Sequence, residues 1–100
     1  MKTSLHLMAL AIGIGAAGLA QASDAEALLK DSGCLSCHAK AEKIVGPAFL
    51  AIADKYRGDK DAVASLVQSI QNGSKGKWGR IPMPGHSSIS QDDLKTMARH

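Results

Sequence analysis

Phe49, Tyr56 and Trp78 are the only aromatic residues that this 100-residue chain offers to a core. It has no run of strand-like alternation, no internal repeat and no low-complexity stretch. Those absences argue against an all-β domain and a repeat array. Charge of one sign is scarce as well: 12 Lys and Arg stand against 9 Asp and Glu, a net of +3. So mild a balance gives no ground for nucleic-acid binding. There are only two cysteines, Cys34 and Cys37. A bridge between them would close a tiny loop and add little stability. A structural disulfide is therefore a poor explanation for them, even in an exported protein.

Hydrophobic residues make up 45% of the chain, but that figure overstates what folding can use. From Leu7 to Ala20 every residue is Leu, Met, Ala, Ile or Gly. The run is too short to span a bilayer comfortably, since about 20 residues are needed. Lys2 precedes it, and Ala20-Gln21-Ala22 closes it as an A-x-A cleavage pattern. Residues 1–22 read as a secretory signal peptide cut before Ser23, with an uncleaved anchor as the alternative. The expectation is a periplasmic protein of residues 23–100 without stable membrane insertion. A domain this small rarely builds a sufficient core unaided. Something else should supply apolar bulk.

The rest of the chain reads as helices. Ser23 and Glu26 form a capping box for the first, which Gly33 stops. A second is expected from Ala48 to Tyr56, with Phe49, Ile52, Ala53 and Tyr56 on one face. A third runs from Asp61 to Gln71 and buries Val63, Leu66, Val67 and Ile70. Ser90 caps a last helix carrying Leu94 and Met97. Residues 72–89 form a long Gly- and Pro-rich loop, and such loops in small domains are usually functional.

Cys34-Leu35-Ser36-Cys37-His38 is C-x-x-C-H, the attachment pattern for c-type haem. Two thiols at this spacing reach the two vinyl groups on one haem edge as thioethers. The adjacent histidine then falls beneath the iron. One covalent haem c per chain is the expected cofactor, and it brings the apolar bulk that the composition lacks. Two other chemistries use the same residues. A dithiol redox pair needs a strand-bearing scaffold. A zinc site wants four Cys and His ligands, and only His86 and His100 remain beyond this motif in residues 23–100.

An iron held by His38 needs a sixth ligand or an open position. Met1 and Met8 leave with the signal, and Met97 shares the last helix with Leu94, where a core role fits. Met83 lies in Ile81-Pro82-Met83-Pro84, between prolines that stiffen the backbone. It is the expected axial ligand opposite His38, against the alternative of a surface or gap-filling methionine. His/Met ligation suits one-electron transfer rather than binding a gas.

On these residues the chain resembles the small bacterial monohaem class I cytochromes c of the c-551/c-552 type. Val45-Gly46-Pro47-Ala48-Phe49, Asn72-Gly73-Ser74 and Trp78-Gly79-Arg80-Ile81-Pro82-Met83-Pro84 carry the resemblance beside the haem motif. It implies an all-α fold of about four short helices wrapped round one haem, the first and last packing crosswise. It implies that the Pro47 carbonyl accepts from His38 Nδ1–H, fixing the ring and raising its basicity. Trp78 would donate its indole N–H to a haem propionate. The implied activity is that of a monomeric electron carrier, not an enzyme. Its partners would be redox proteins of the cytochrome reductase, oxidase or nitrite reductase type. Lys40, Lys43, Lys75 and Lys77 would form a basic rim for them.

Three positions depart from that pattern. His86 stands where the family often has an Asn near the ligand sulfur. Ser69 replaces an Arg that in some relatives reaches the propionates. The last helix stops at His100, where relatives carry an aromatic and a further turn or two. The rival readings are a haem sensor or peroxidase-like protein with a displaceable Met83, and a zinc-binding module.

Overall fold

The computed structural model describes residues 24–100. The signal peptide expected over 1–22, its cleavage before Ser23 and the Ser23 cap lie outside the described residues. Four helices follow one another: α1 over 24–31, α2 over Phe49–Lys55, α3 over Ala62–Asn72 and α4 over Gln91–Arg99. A single 3-10 turn, Cys34–Ser36, stands between α1 and α2. Among the described residues there are no strands. Two isolated antiparallel bridges, His38 with Lys43 and Ser74 with Met83, are the only β pairing. Among the described residues this is a small all-α fold.

Local chemistry sets the boundaries. α2 begins at Phe49, one residue later than the periodicity predicts, because Ala48 follows Pro47 in an extended conformation (φ −61, ψ 147). α3 also starts one residue late. The Asp59 side chain accepts from the Asp61 N–H at 2.8 Å, an Asx turn that takes Asp61 out of the helix and makes it the cap. α4 starts where expected, with the Ser90 hydroxyl accepting from the Asp93 N–H at 3.1 Å. Asp92 and Asp93 in its first turn and Arg99 in its last complement the helix dipole.

The core is centred on Val67, Leu94 and Met97, where α3 and α4 pack together. Leu28 and Leu29 of α1, with Val63, Ile70, Ile89 and Ala98, pack around it. Met97 thus fills the core position that its register with Leu94 predicts. At the far end, His100 Nε2 lies 3.7 Å from Glu26 Oε1 and links the end of α4 to α1. Among the described residues the buried apolar ones are Ala25, Ala48, Val67, Leu94 and Met97. So thin a core follows from the composition, because much of the remaining apolar surface faces a cavity. No helix among the described residues is long and apolar enough to cross a membrane.

Candidate haem site

A cavity of about 620 Å³ is lined chiefly by the Cys34–Tyr56 segment and the α3–Pro84 segment, with Leu29 of α1 and Met97 of α4 also on its surface. Its walls include Ile44, Val45, Phe49, Trp78, Ile81 and Met83. Ile44 and Ile81, at 53% and 67% exposed, are large apolar side chains that line it.

The first wall is built on the 3-10 turn. The N–H groups of Cys37 and His38 both donate to the Cys34 carbonyl, at 3.2 and 3.0 Å. So tight a turn sends the side chains at i, i+3 and i+4 to one side, and Cys34, Cys37 and His38 all line the cavity. Burial pushes the Cys34 thiol pKa up, and the nearby Cys37 adds to the rise against a backbone hydrogen bond that lowers it.

The chain then folds back on the motif. Val45 and Gly46 donate to the Cys37 carbonyl at 3.2 and 2.8 Å, and Phe49 donates to the Ala39 carbonyl at 2.9 Å. This return places the Pro47 carbonyl 2.7 Å from His38 Nδ1. A carbonyl can only accept, so Nδ1 carries the proton and Nε2 keeps its lone pair for a metal. The Phe49 ring stacks on the imidazole with centroids 5.2 Å apart and planes at 19°. Behind it, a Cβ on Gly46 would fall 2.7 Å from His38 Cε1, so only glycine fits. His38 is thereby held with 9% of its surface exposed.

The second wall carries Met83, half-buried and facing the same cavity. Its backbone is paired on both edges of one bridge: Ser74 N–H donates to Met83 O at 3.0 Å, and Met83 N–H donates to Ser74 O at 2.7 Å. Trp78 also lines the cavity, with the Lys55 ammonium 4.7 Å from its ring centroid. Lys77 Nζ reaches Ser69 Oγ at 2.9 Å, and both line the cavity, so a lysine sits where the sequence lacks the arginine. Lys43 and Lys75 lie on its edge as expected, whereas Lys40 does not; Arg80 joins the rim instead. His86 is half-buried outside the cavity, its N–H shared between the Ile70 and Gln71 carbonyls at 2.8 and 3.1 Å.

Sequence reasoning missed three contributors to this geometry: Phe49 as a stacking partner, Gly46 as a close-approach position, and Ser74 as the bridge to Met83. Gly46 and Phe49 flank Pro47, the residue singled out for His38, and that adjacency was the available signal. The residues fit a haem. The cavity lining is mostly apolar, and it includes an imidazole held in one orientation with a metal-binding nitrogen free, together with the side chain of Met83. Among the described residues there is no group of three or more His, Cys, Asp and Glu that could hold a metal ion by themselves.

Short helices gathered about an apolar cavity, with a C-x-x-C-H turn in its wall, define the small all-α haem proteins. The chain is 46% identical over 99 residues to cytochrome c-551 of Pseudomonas aeruginosa, covering 99% of this chain and 94% of that one. It is 43% identical over 98 residues to cytochrome c-552 of Nitrosomonas europaea, covering 98% and 93%. The crystal structure of wild-type Nitrosomonas europaea cytochrome c552 superposes with a TM-score of 0.72 at 42% identity, over 74% of this chain and 91% of that one. No protein-family model matches. The chain belongs to the cytochrome c-551/c-552 family. It is a small cytochrome electron carrier with covalent haem c.

Proposed function

We propose that Cys34 and Cys37 attach the haem by adding their thiols across its two vinyl groups, and that His38 Nε2 and Met83 Sδ take the two axial positions. The observation that carries this reading is that both side chains line one cavity: His38, its Nδ1 proton committed to Pro47 at 2.7 Å, and Met83, brought there by a separate loop. Bound haem supplies an iron that passes one electron between its ferrous and ferric states. Pro47 and Phe49 hold the imidazole in one orientation, so little has to move when the charge changes. Ile44, Val45, Phe49 and Ile81 exclude water from the apolar interior. Trp78 and Lys77 offer an N–H and a cation to the haem carboxylates at the rim. With both axial positions filled, the chain acts as a carrier and not as an enzyme.

Residues 1–22 act as a signal peptide cleaved before Ser23, and the protein works in the periplasm. Its partners are redox proteins of the reductase, oxidase or nitrite reductase type, met through the rim formed by Lys43, Lys75, Lys77 and Arg80. Support for export lies in the apolar run and A-x-A pattern.

Two measurements test the site. The intact mass of the exported protein should equal the chain from Ser23 plus one haem that acidified organic solvent does not extract. The ferrous protein should refuse carbon monoxide at neutral pH. Ready uptake of the gas would mean that Met83 is not a stable ligand, and the sensor or peroxidase-like reading would replace the carrier.

A further inference from the structure

Two prolines flank Met83, but they fix backbone angles and not where the segment sits. A methionine side chain has three rotatable bonds and aims its sulfur poorly unless its backbone is held. What holds it is the end of α3. The helix closes at Asn72, and Gly73 turns the chain at φ 85, ψ 173, a region open essentially to glycine alone. The next residue, Ser74, makes both hydrogen bonds of the bridge with Met83. A Cβ on Gly73 would meet the Met83 carbonyl oxygen at 2.7 Å and the Gly85 nitrogen at 3.0 Å, so the two backbones touch there. Downstream, the His86 N–H returns to the Ile70 and Gln71 carbonyls.

We propose that the Ser74–Met83 backbone bridge, seated on Gly73, is the positioning device for the sixth ligand and ties it to the C-terminus of α3. Ser74 and Gly73 act through the Met83 backbone and do not touch the iron. His86, held by its N–H to the same helix end, stays where it is and does not serve as a replacement ligand while the clamp is closed. The proposal rests on the reading of Met83 as an axial ligand.

The test uses the haem-loaded protein and three variants. Gly73→Ala should push the Met83 carbonyl away. The weak far-red Met–iron band of the ferric form should be lost, and the ferrous form should bind carbon monoxide. Gly58→Ala is the control: it carries a similar positive φ, 79, but meets nothing within 4 Å. It should keep the band and refuse the gas. Met83→Ala should lose the band outright. If Met83→Ala keeps the band, the ligand reading fails and the clamp with it. If Met83→Ala loses the band but Gly73→Ala keeps it, the clamp alone is overturned. Loss of the band in Gly58→Ala would attribute the effect to backbone strain and also overturn it. Should Gly73→Ala not fold, amide exchange in the unmutated protein decides. The Ser74 and Met83 N–H groups should exchange more slowly than those of residues 76–81, and exchange as fast as that loop would contradict the proposal.

Discussion

Residues 34–50 and residues 73–86 each bring one proposed iron ligand to the cavity, and they do it by different means. In the first segment the restraints act on the side chain itself. His38 has a hydrogen bond to Pro47 at its Nδ1, the Phe49 ring stacked on one face and Gly46 pressed against Cε1. In the second segment the restraints act on the backbone. Met83 has hydrogen bonds at its N–H and C=O, and its neighbours on both sides are proline. A rigid imidazole can be gripped directly. A flexible thioether can be aimed only by fixing the chain that carries it. The two proposed ligands should therefore differ in how they fail: damage near His38 should cost stability, whereas damage near Met83 should open the iron.

The largest effect should come from the scaffold that both segments share. Leu94 is fully buried between α3 and α4. Leu94→Ala should cost about 2–5 kcal/mol in denaturant unfolding and weaken both walls together. A loss confined to one wall would separate them. Next in size is Gly46→Ala, which forces a methyl against the His38 ring. It should cost about 1–3 kcal/mol by overpacking while the far-red band persists. That result sharpens the contrast with Gly73→Ala, where the band should go. Phe49→Leu keeps an apolar side chain but removes the stacked ring, and should cost about 0.5–1.5 kcal/mol beyond the loss of packed volume. An unchanged unfolding midpoint would leave the Pro47 bond as the main restraint on His38.

The smallest effect concerns the rim, to which both segments contribute. Lys43 comes from the first, and Lys75, Lys77 and Arg80 from the second. Electron exchange with an acidic partner should slow as ionic strength rises. Lys77→Ala should flatten that dependence, and Lys40→Ala should leave it unchanged because Lys40 lies off the cavity. A salt-independent rate would remove the rim from docking.

What could be read from the sequence was local. Cys34, Cys37 and His38 sit within five positions, so their chemistry follows from spacing alone. Ser90 was legible as a cap because the residue that bonds it is three positions away. Met83 was reached by elimination and by its prolines. Contacts made by the return of the chain were not legible. The stacking of Phe49 on His38 depends on Val45 and Gly46 turning back to the Cys37 carbonyl, and no periodicity encodes that. Lys40 and Lys43 share a loop, yet only Lys43 faces the cavity. The Leu50 N–H draws the Lys40 carbonyl toward α2 at 3.0 Å, a bond that loop membership does not foretell. Likewise the 72–89 segment reads as a loop with no helix or strand pattern, although Ser74 and Met83 pair within it. One bridge is too short to leave an alternating pattern.

The central claim is that Met83 and His38 hold one iron from opposite loops. The most direct measurement is a proton spectrum of the ferrous protein with its methionine methyl groups isotopically labelled. A thioether fixed over the haem face lies in the ring current, so the Met83 methyl should be shifted far upfield, well beyond that of Met97, which packs in the α3–α4 core and also lines the cavity. A Met83 methyl at its ordinary position, or Met97 shifted in its place, would contradict the claim.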